Sequence, residues 1–364
     1  MTESLESLLY QNTNLKKIMI GFTKYLLLIF IFTFTGTVFS HHSFSHFNEE
    51  YTEMEGTLVE LRWKNPHIFF FVETQEPNGD LKTWEMETGT IYMVGRAGVS
   101  EDLFTEGEKI RVAGHTSRLY SDKFHLKNVL LASGEEIITV ATSPPRWTEQ
   151  AIGGKGQWTN TALHANDNVT KGEGIFRVWS PAASGSIPDP LFTDSNNLES
   201  LLTNDSKAAR ETWDAYTFDK NCRIPGLPRV NFGPHPHQFI DQRDQIIIIS
   251  EEFDVPRTIH LNSNILPESQ PLSPMGYSMG QWEDSRTLVV NTSRINFPYI
   301  DLSGAGQSEE VTIAERYVLS EDETRLDYRI EVTDPIMLKQ PYVISGIWLD
   351  LDEGMAIYDC QVME

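Results

Sequence analysis

The chain has 364 residues with 29 basic and 52 acidic side chains, a formal net charge of −23, ten His and two Cys. This excess of carboxylates excludes nucleic acid as a partner, because phosphate contacts require clustered Lys and Arg. Two cysteines exclude a disulfide-knit miniprotein and a cysteine-rich zinc module. Because the chain is 40% hydrophobic and 22% charged, we expect a folded core, and its length suggests roughly two domains.

Residues 1–40 are typical of a secretory signal peptide. Residues 25–39 form the most hydrophobic stretch, with three Lys before it and small residues after it, and this arrangement is typical of export. The apolar run is short for a membrane span, which needs about 20 residues. We therefore expect cleavage after Ser40, a periplasmic or secreted location, and no membrane span in the mature chain. Translation from Met19 rather than Met1 would give a more compact signal.

The next segment, residues 41–142, has the pattern of a small β-barrel. Short apolar runs separated by turn signals predict five strands, and residues 77–80 (PNGD) predict a hairpin turn. A short helix fits within residues 89–108, between the third and fourth strands. Five strands with a helix in that position are the order of an OB-like barrel. The predicted strands cover residues 56–63, 67–74, 82–88, 109–116 and 124–131.

The rest of the chain predicts an irregular segment followed by a second β-rich domain. Residues 143–185 are rich in Gly, Pro, Ser and Thr, which is typical of a linker or an irregular entry. Residues 186–364 contain one predicted helix, residues 206–216 with Ser206 as N-cap, and then a succession of strand patterns. The fold class predicted is mainly β, with the OB-like barrel followed by a larger antiparallel β-barrel or sandwich with one helix.

Cys222 and Cys360 are the only cysteines. In an exported protein we expect them to form a disulfide. This bridge would close a loop of about 138 residues and stabilise the fold by several kcal/mol in the chain-entropy account. The alternative is a pair of buried free thiols.

Two parts of the sequence resemble known families. The segments HHSFSHF, GTLVELRWKNPHIFFFVET, TWEMETG and EGEKIRVAGH resemble DUF6152, a family of exported bacterial proteins of unknown function, over residues 41–141. This resemblance implies a small exported β-barrel with an HHS start and an NPH tripeptide. The segments CRIPGLPR, GQWEDSRTLVVNTS, ERYVLS and YDC are similar to a widespread group of uncharacterised exported bacterial proteins. Neither resemblance implies a reaction.

The histidines near the mature N-terminus suggest a metal site. After cleavage, His41 would carry a free α-amine and an imidazole on one residue, a chelate that suits Cu(II) because copper favours nitrogen ligands. His67 follows Pro66, which fixes the backbone, so it is the best third donor. The alternative is a flexible terminus and a polar His67 that caps its strand. The predicted copper ligands are His41, His42 and His67, with His46, His115 and His125 as secondary candidates.

The larger domain offers a second candidate site. His235 and His237 flank one proline, and an H-x-H pair on a strand points both rings to one face. The predicted pocket for a small apolar ligand combines His235, His237, Glu252 and Trp282. A charged set is assigned to the barrel interior, either for acid/base chemistry or as structural ion pairs. Its members are Arg257, Glu283, Glu315, Arg316 and Asp334, together with Glu251 and Glu252.

Two classes of function are compatible with these features. The first is an exported binding or accessory protein that takes a copper-type ion, a small apolar ligand, or both. The alternative is an enzyme, either a copper-dependent oxidase or a metal-free barrel enzyme that uses His and carboxylate groups. The sequence has no P-loop, dinucleotide fingerprint or HExxH motif. Residues 276–280 (GYSMG) match the spacing of a nucleophile elbow, but their predicted all-β context argues against one.

Overall fold

The computed structural model describes residues 47–140, 143–154, 172–181, 195–213, 218, 221–233, 235–261, 266–351 and 354–362. The chain divides into two units, residues 1–40 and 41–364. The predicted signal peptide, His41, His42 and His46 lie outside the described residues. The mainly β prediction is confirmed, because a closed five-stranded barrel is followed by a closed nine-stranded barrel, both within the second unit.

The small barrel has the strand order of an OB-like fold. Its strands pair in the circular order β1–β2–β3–β5–β4, and a parallel β3–β5 pairing closes the barrel. The helix α1 lies between β3 and β4, as predicted, and the Thr90 side chain caps it by accepting from the Met93 N–H at 3.2 Å. The elements are β1 (Thr52–Arg62), β2 (Phe69–Gln75), β3 (Leu81–Glu87), α1 (Ile91–Arg96), β4 (Lys109–Thr116) and β5 (Lys123–Leu130).

Apolar side chains from every strand fill the small barrel. Leu58, Phe70, Met86, Val112 and Phe124 are fully buried and belong to one core cluster. The β2–β3 hairpin turns at residues 77–80, where Gly79 takes a φ of +91°, a conformation that favours glycine. Two short strands, β6 (Glu136–Ile138) and β7 (Ala151–Gly153), extend the sheet from β5.

The large barrel comes next along the chain. Its strands are β8 (Val178–Pro181), β9 (His237–Asp241), β10 (Gln245–Ser250), β11 (Val255–Leu261), β12 (Tyr277–Asp284), β13 (Thr287–Ser293), β14 (Thr312–Leu319), β15 (Arg325–Thr333) and β16 (Tyr342–Asp350). They close in the order β10 to β16 and then β8 and β9. β7 and β8 thus lie within residues 143–185, the range interpreted as a linker or irregular entry. The expectation of antiparallel pairing was wrong at one pair, because β11 and β12 run parallel. Parallel neighbours require a connection that returns the chain to the starting end, which a sequence pattern of strands does not reveal.

The helical prediction for the second domain was wrong in number and bounds. Among the described residues of this domain, two short α-helices are present, α2 (Ser195–Leu201) and α3 (Asn204–Arg210). The N-cap of α3 is Thr203, whose hydroxyl accepts from the Ser206 N–H at 3.3 Å. Ser206 is instead buried, and its hydroxyl donates to the Gly306 carbonyl at 2.9 Å. A tertiary contact therefore uses the side chain that the sequence pattern assigned to the cap.

The predicted disulfide is confirmed. Cys222 and Cys360 are bonded, with Cα atoms 5.9 Å apart and a sequence separation of 138 residues. The bond ties the C-terminal tail, residues 354–362, to the segment that precedes β9. None of the helices in the described ranges has the length and apolar character needed to cross a membrane.

We predict that a C222S/C360S variant loses about 2–4 kcal/mol in free energy of unfolding, because the unfolded chain regains the entropy that the crosslink removes. Equilibrium denaturant unfolding measures the loss. As a matched control, the variant and wild type are compared after reduction. Under that condition their free energies of unfolding should be equal. Equal stability of the two oxidised proteins would contradict the prediction.

Candidate functional site

A buried ion pair joins the two barrels. Arg96, at the end of α1 in the small barrel, donates from Nη1 and Nη2 to the two carboxylate oxygens of Glu251 at 2.9 and 2.7 Å. Glu251 directly follows β10 of the large barrel. Both side chains are buried, with 2% and 0% exposed. Charge-assisted bidentate pairs of this kind fix geometry, so this pair sets how α1 meets the large barrel.

The C-terminal tail contacts both barrels at the same junction. The Tyr358 N–H donates to the carboxylate of Asp254 at 3.0 Å, and the Tyr358 hydroxyl donates to the Pro66 carbonyl at 3.4 Å. Asn65 in turn donates from Nδ2 to the Tyr358 carbonyl at 2.5 Å. The tail that the disulfide holds therefore binds the NPH loop, residues 65–67, against the large barrel.

Histidines from both barrels form a row through this junction. His115 and His125 are cross-strand partners on β4 and β5, with ring centroids 6.5 Å apart. His67 lowers the pKa of His125, and His235 lowers the pKa of both His67 and His237. We call His115, His125, His67, His235 and His237 the histidine row.

Burial keeps four members of the row neutral, namely His67, His125, His235 and His237. It is the largest cause that lowers the pKa of His67 to about 4 and that of His237 to about 3. Burial also lowers the pKa of His125 and His235, although the Glu252 carboxylate opposes the shift at His235. Neutral imidazole is the form that binds a metal ion, so these rings have the required protonation state near neutral pH.

His67 is the accessible member of the row at the junction. Its side chain is 31% exposed, and its Nδ1 lies 3.9 Å from the Glu87 carboxylate. Asn65 anchors the loop before it, since its Oδ1 accepts from the Ile91 N–H at 3.1 Å. At 3.9 Å the carboxylate is beyond hydrogen-bond distance. It therefore contributes negative charge near the ring rather than a fixed ring orientation.

His235 lies deeper, between two ion pairs. It is 5% exposed, and its ring packs edge-to-face on Tyr358 with centroids 6.0 Å apart. Beside it, Arg229 donates from Nη1 to both carboxylate oxygens of Glu252 at 2.9 Å. Within the described part of the chain, His235 Nδ1 has no hydrogen-bond partner. A buried nitrogen without a partner costs free energy, so this atom is a candidate ligand-binding atom.

The row ends inside the large barrel. The His237 ring packs on Trp348 with centroids 4.7 Å apart. His237 Nε2, Trp348 Nε1 and Ser250 Oγ are buried and have no hydrogen-bond partner among the described residues. Ser250 faces His237 across the β9–β10 pair, so these polar atoms belong to one region of the inner wall.

A closed polar network lies beside that end of the row. Arg257 donates to Glu315 at 2.9 Å, to Ser278 at 2.9 Å and to Thr292 at 2.7 Å. Tyr317 also donates to Glu315, at 2.8 Å, and burial together with the Glu315 charge raises the pKa of Tyr317 well above its usual value. Ser278 of the GYSMG segment is thus a buried strand residue in this network.

The predicted pocket set comes together only in part. Glu252 and His235 meet at the junction, and His237 is next to them in the row. Trp282 lies near the hairpin end of β12, where it packs against Phe176 with ring centroids 6.2 Å apart. That Trp282 shares a ligand pocket with the two histidines stays a prediction.

The charged residues that were assigned to the barrel interior also lie in different places. Arg257 and Glu315 lie inside, whereas Glu283 and Arg316 form an exposed pair at 2.9 Å on the outer face. For these two the interior assignment was wrong, because Arg316 follows Glu315 and successive strand residues face opposite sides. Asp334 is buried beyond the end of β15, where it accepts from the Ser308 N–H at 2.7 Å.

Several residues that build the junction were not predicted from the sequence. They share no local motif, because their role arises from the docking of distant segments. They are Arg96, Arg229 and Tyr358, with Asn65 known only as part of the NPH tripeptide.

Across the described ranges, no three His, Cys, Asp or Glu side chains are arranged to hold a metal ion. A metal ion at the row would need a donor from other residues or from solvent. Phe47 packs on His125 with ring centroids 5.5 Å apart, and it pairs with Ser117. His41 precedes Phe47 by six residues in the sequence.

The buried histidines predict acid sensitivity. His237 has a pKa of about 3 in the folded chain against an ordinary value of 6.5, so the unfolded chain binds more protons between these values. The contribution of neutral His237 to the free energy of unfolding is complete above pH 6.5. It falls as the pH drops toward 3, by up to about 1.4 kcal/mol per pH unit. Denaturant unfolding at pH 7.5, 6 and 5 should show a shallower decline for His237→Asn than for wild type. A His260→Asn variant, at a half-buried position, controls for the loss of a histidine, and parallel declines for wild type and His237→Asn would contradict the prediction.

The model of a family of unknown function, DUF6152, matches residues 30–123. This match includes β1 to β4, the NPH loop and the first residue of β5. No curated protein matches the chain.

Proposed function

We propose that this chain is an exported binding protein that takes a copper-type ion at His67, with His41 and His42 of the mature N-terminus as further ligands. The observation that carries the proposal is the state of His67, a partly exposed neutral imidazole with a carboxylate near Nδ1. Phe47 packs on His125 with ring centroids 5.5 Å apart, and His41 and His42 precede Phe47 by only a few residues in the sequence, which supports the N-terminal histidines as partners. His46 and His115 are secondary ligands.

The ligand chemistry favours copper. An N-terminal histidine supplies an amine and an imidazole, and copper prefers nitrogen donors. Glu87, 3.9 Å from His67 Nδ1, would supply negative charge near the ion. The disulfide between Cys222 and Cys360 supports an oxidising location such as the periplasm, in agreement with the signal-like sequence.

We propose a metal ion rather than an apolar ligand because of the contents of the large barrel. Trp179, Tyr317, Tyr328 and Trp348 are buried in its core. Trp348 alone packs against Tyr317 and Tyr328 at centroid distances of 5.7 and 4.9 Å. Aromatic side chains thus occupy the region where an apolar ligand would bind.

The proposal is tested on protein exported from the full precursor. The mature N-terminus is sequenced, and Cu(II) binding is measured by competition with a chelator of known affinity. We expect a chain that begins at His41, and at least tenfold weaker binding both when one residue precedes His41 and in His67→Ala. His260→Ala is the matched control and should bind like wild type. A mature chain that begins elsewhere, or unchanged binding by His67→Ala, would refute the proposal; copper-dependent oxygen consumption would favour the oxidase alternative.

A further inference from the structure

We propose that the disulfide between Cys222 and Cys360 is a redox switch. When a dithiol reduces this bond, the C-terminal tail, residues 354–362, leaves the junction while both barrels stay folded. The inference does not depend on the metal site of the proposed function. It makes the disulfide a site of reaction, in addition to a crosslink that stabilises the fold. Four features of the tail support it.

The first feature is that the tail contacts both barrels. Its residues form no helix or strand, so contacts with other segments hold it in place. The Gln361 N–H donates to the Asn65 carbonyl of the small barrel at 3.1 Å. The Tyr358 N–H donates to the Asp254 carboxylate of the large barrel at 3.0 Å, and the Tyr358 ring packs on Phe253 with centroids 4.9 Å apart. The chain enters the tail from β16, and the disulfide fixes its other end.

The second feature is that a reductant can reach the bond. Cys222 and Cys360 are half-buried, and both chain neighbours of each cysteine are exposed. Ile357 and Val362 are 74% and 57% exposed, so the tail lies at the surface on both sides of Cys360. Exposed disulfides are the ones that thiols reduce most readily. The bond is therefore available to a thiolate while both barrels are folded.

The reaction is a thiol–disulfide exchange with a dithiol as the reductant. A thiolate of the reductant attacks one sulfur, the Sγ–Sγ bond breaks and a mixed disulfide forms. The second thiol of the reductant then displaces the protein sulfur. The protein gains two electrons and two protons as the thiols of Cys222 and Cys360, and the reductant becomes a disulfide.

The third feature is strained backbone where the tail is held. Cys222, Phe253, Asp254 and Asp359 have φ values of 51°, 60°, 51° and 45°. They are four of the seven non-glycine residues with positive φ in the described ranges, and each lies in the disulfide, in the tail or in the turn that Tyr358 contacts. This conformation costs free energy for a residue with a Cβ and persists only where surrounding contacts impose it. Relaxation of these residues therefore favours release of the tail once the disulfide is open.

The fourth feature is that the barrels do not depend on the tail. Among the described residues, neither core cluster includes a residue of the tail. Both barrels close through pairing of their own strands. The Arg96–Glu251 pair also joins α1 to the large barrel without the tail. Reduction should therefore open the junction locally.

Release of the tail would uncover groups that are buried in the oxidised protein. Tyr358 is 2% exposed and His235 is 5% exposed, and their rings pack edge-to-face with centroids 6.0 Å apart. Asn65, which is 2% exposed, donates to the Tyr358 carbonyl at 2.5 Å. Reduction would thus give other molecules access to His235 and to the NPH loop.

The test measures amide hydrogen exchange by mass spectrometry on metal-free protein exported from the full precursor. The oxidised protein is compared with protein treated with dithiothreitol in the absence of denaturant, and alkylation counts the free thiols. We expect two thiols per chain and at least tenfold faster exchange in the tail, including the amides of Tyr358 and Gln361. The strands of both barrels should stay protected over the same times. The C222S/C360S variant should show fast tail exchange without dithiothreitol and no further change with it, which controls for effects of the reductant.

Three results would overturn the inference. In the first, dithiothreitol reduces the disulfide only after denaturant is added. In the second, the tail stays protected although both thiols are free. In the third, the tail and the strands lose protection together, so that reduction destabilises the whole fold instead of releasing the tail. If the double serine variant does not fold, the reduced wild type decides the result, and because copper is absent throughout, the copper site is judged separately.

Discussion

Glu315→Ala is expected to destabilise the large barrel by about 3–5 kcal/mol, because it leaves a buried arginine without its counter-charge. Arg257 and Glu315 are both almost fully buried, at 2% and 0% side-chain exposure. The carboxylate also accepts from Asn231 and Tyr317, each at 2.8 Å. Removing it therefore strands a guanidinium, an amide and a phenol in the barrel interior.

The free energy of unfolding, from denaturant titration, measures this loss. Glu283→Ala is the matched control, since Glu283 pairs with Arg316 on the outer face with both side chains about half exposed. Exposed pairs contribute about 0–1 kcal/mol, so this variant should remain close to wild type. If both variants lost a similar amount of free energy of unfolding, burial would not explain how much the Arg257 network contributes to stability.

Arg96→Ala is expected to cost about 3–5 kcal/mol as well, but at the junction between the barrels. The substitution leaves Glu251, with none of its side chain exposed, as an unpaired buried carboxylate next to His235. Because Arg96 comes from the small barrel and Glu251 from the large one, the loss should also weaken the docking of α1 against the tail.

The control for Arg96 is Arg111→Ala, which removes an exposed arginine paired with Glu55 on the same barrel. Thermal unfolding and limited proteolysis of the two variants are compared with wild type. We expect Arg96→Ala alone to unfold at lower temperature and to expose the tail to protease. A double variant with Arg96→Met and Glu251→Leu should recover much of the stability, because it removes both charges. Failure of the double variant to recover any would contradict the ion-pair explanation.

The strands were predictable where one face is buried. In β14, Ile313, Glu315, Tyr317 and Leu319 alternate with exposed residues, and this period of two is visible in the sequence. The same period places Glu315 and its neighbour Arg316 on opposite faces of the strand. The sequence analysis nevertheless assigned both residues to the barrel interior. Which of two adjacent charged residues faces inward depends on the register of pairing with β13 and β15, which places each strand relative to the barrel.

The parallel β11–β12 pair and the cap of α3 were not predictable for a similar reason. A strand pattern contains no information about which neighbour it pairs with or in which direction. Thr203 and Ser206 are both suitable N-caps, and the choice between them follows from the contact of Ser206 with the Gly306 carbonyl. These features depend on segments far apart in the chain.

The sequence by itself determined the mainly β class, the OB-like order of the first domain and the single disulfide, because apolar periodicity, turn residues and a lone pair of cysteines are local or compositional signals. It also singled out His67 and His235, but in separate sites. Only the tertiary structure decided that the NPH loop and His235 both contact Tyr358, because that arrangement depends on the Arg96–Glu251 pair and on a tail that Cys360 holds in place. Those contacts join residues more than one hundred positions apart, and their energies exist only once both barrels have formed.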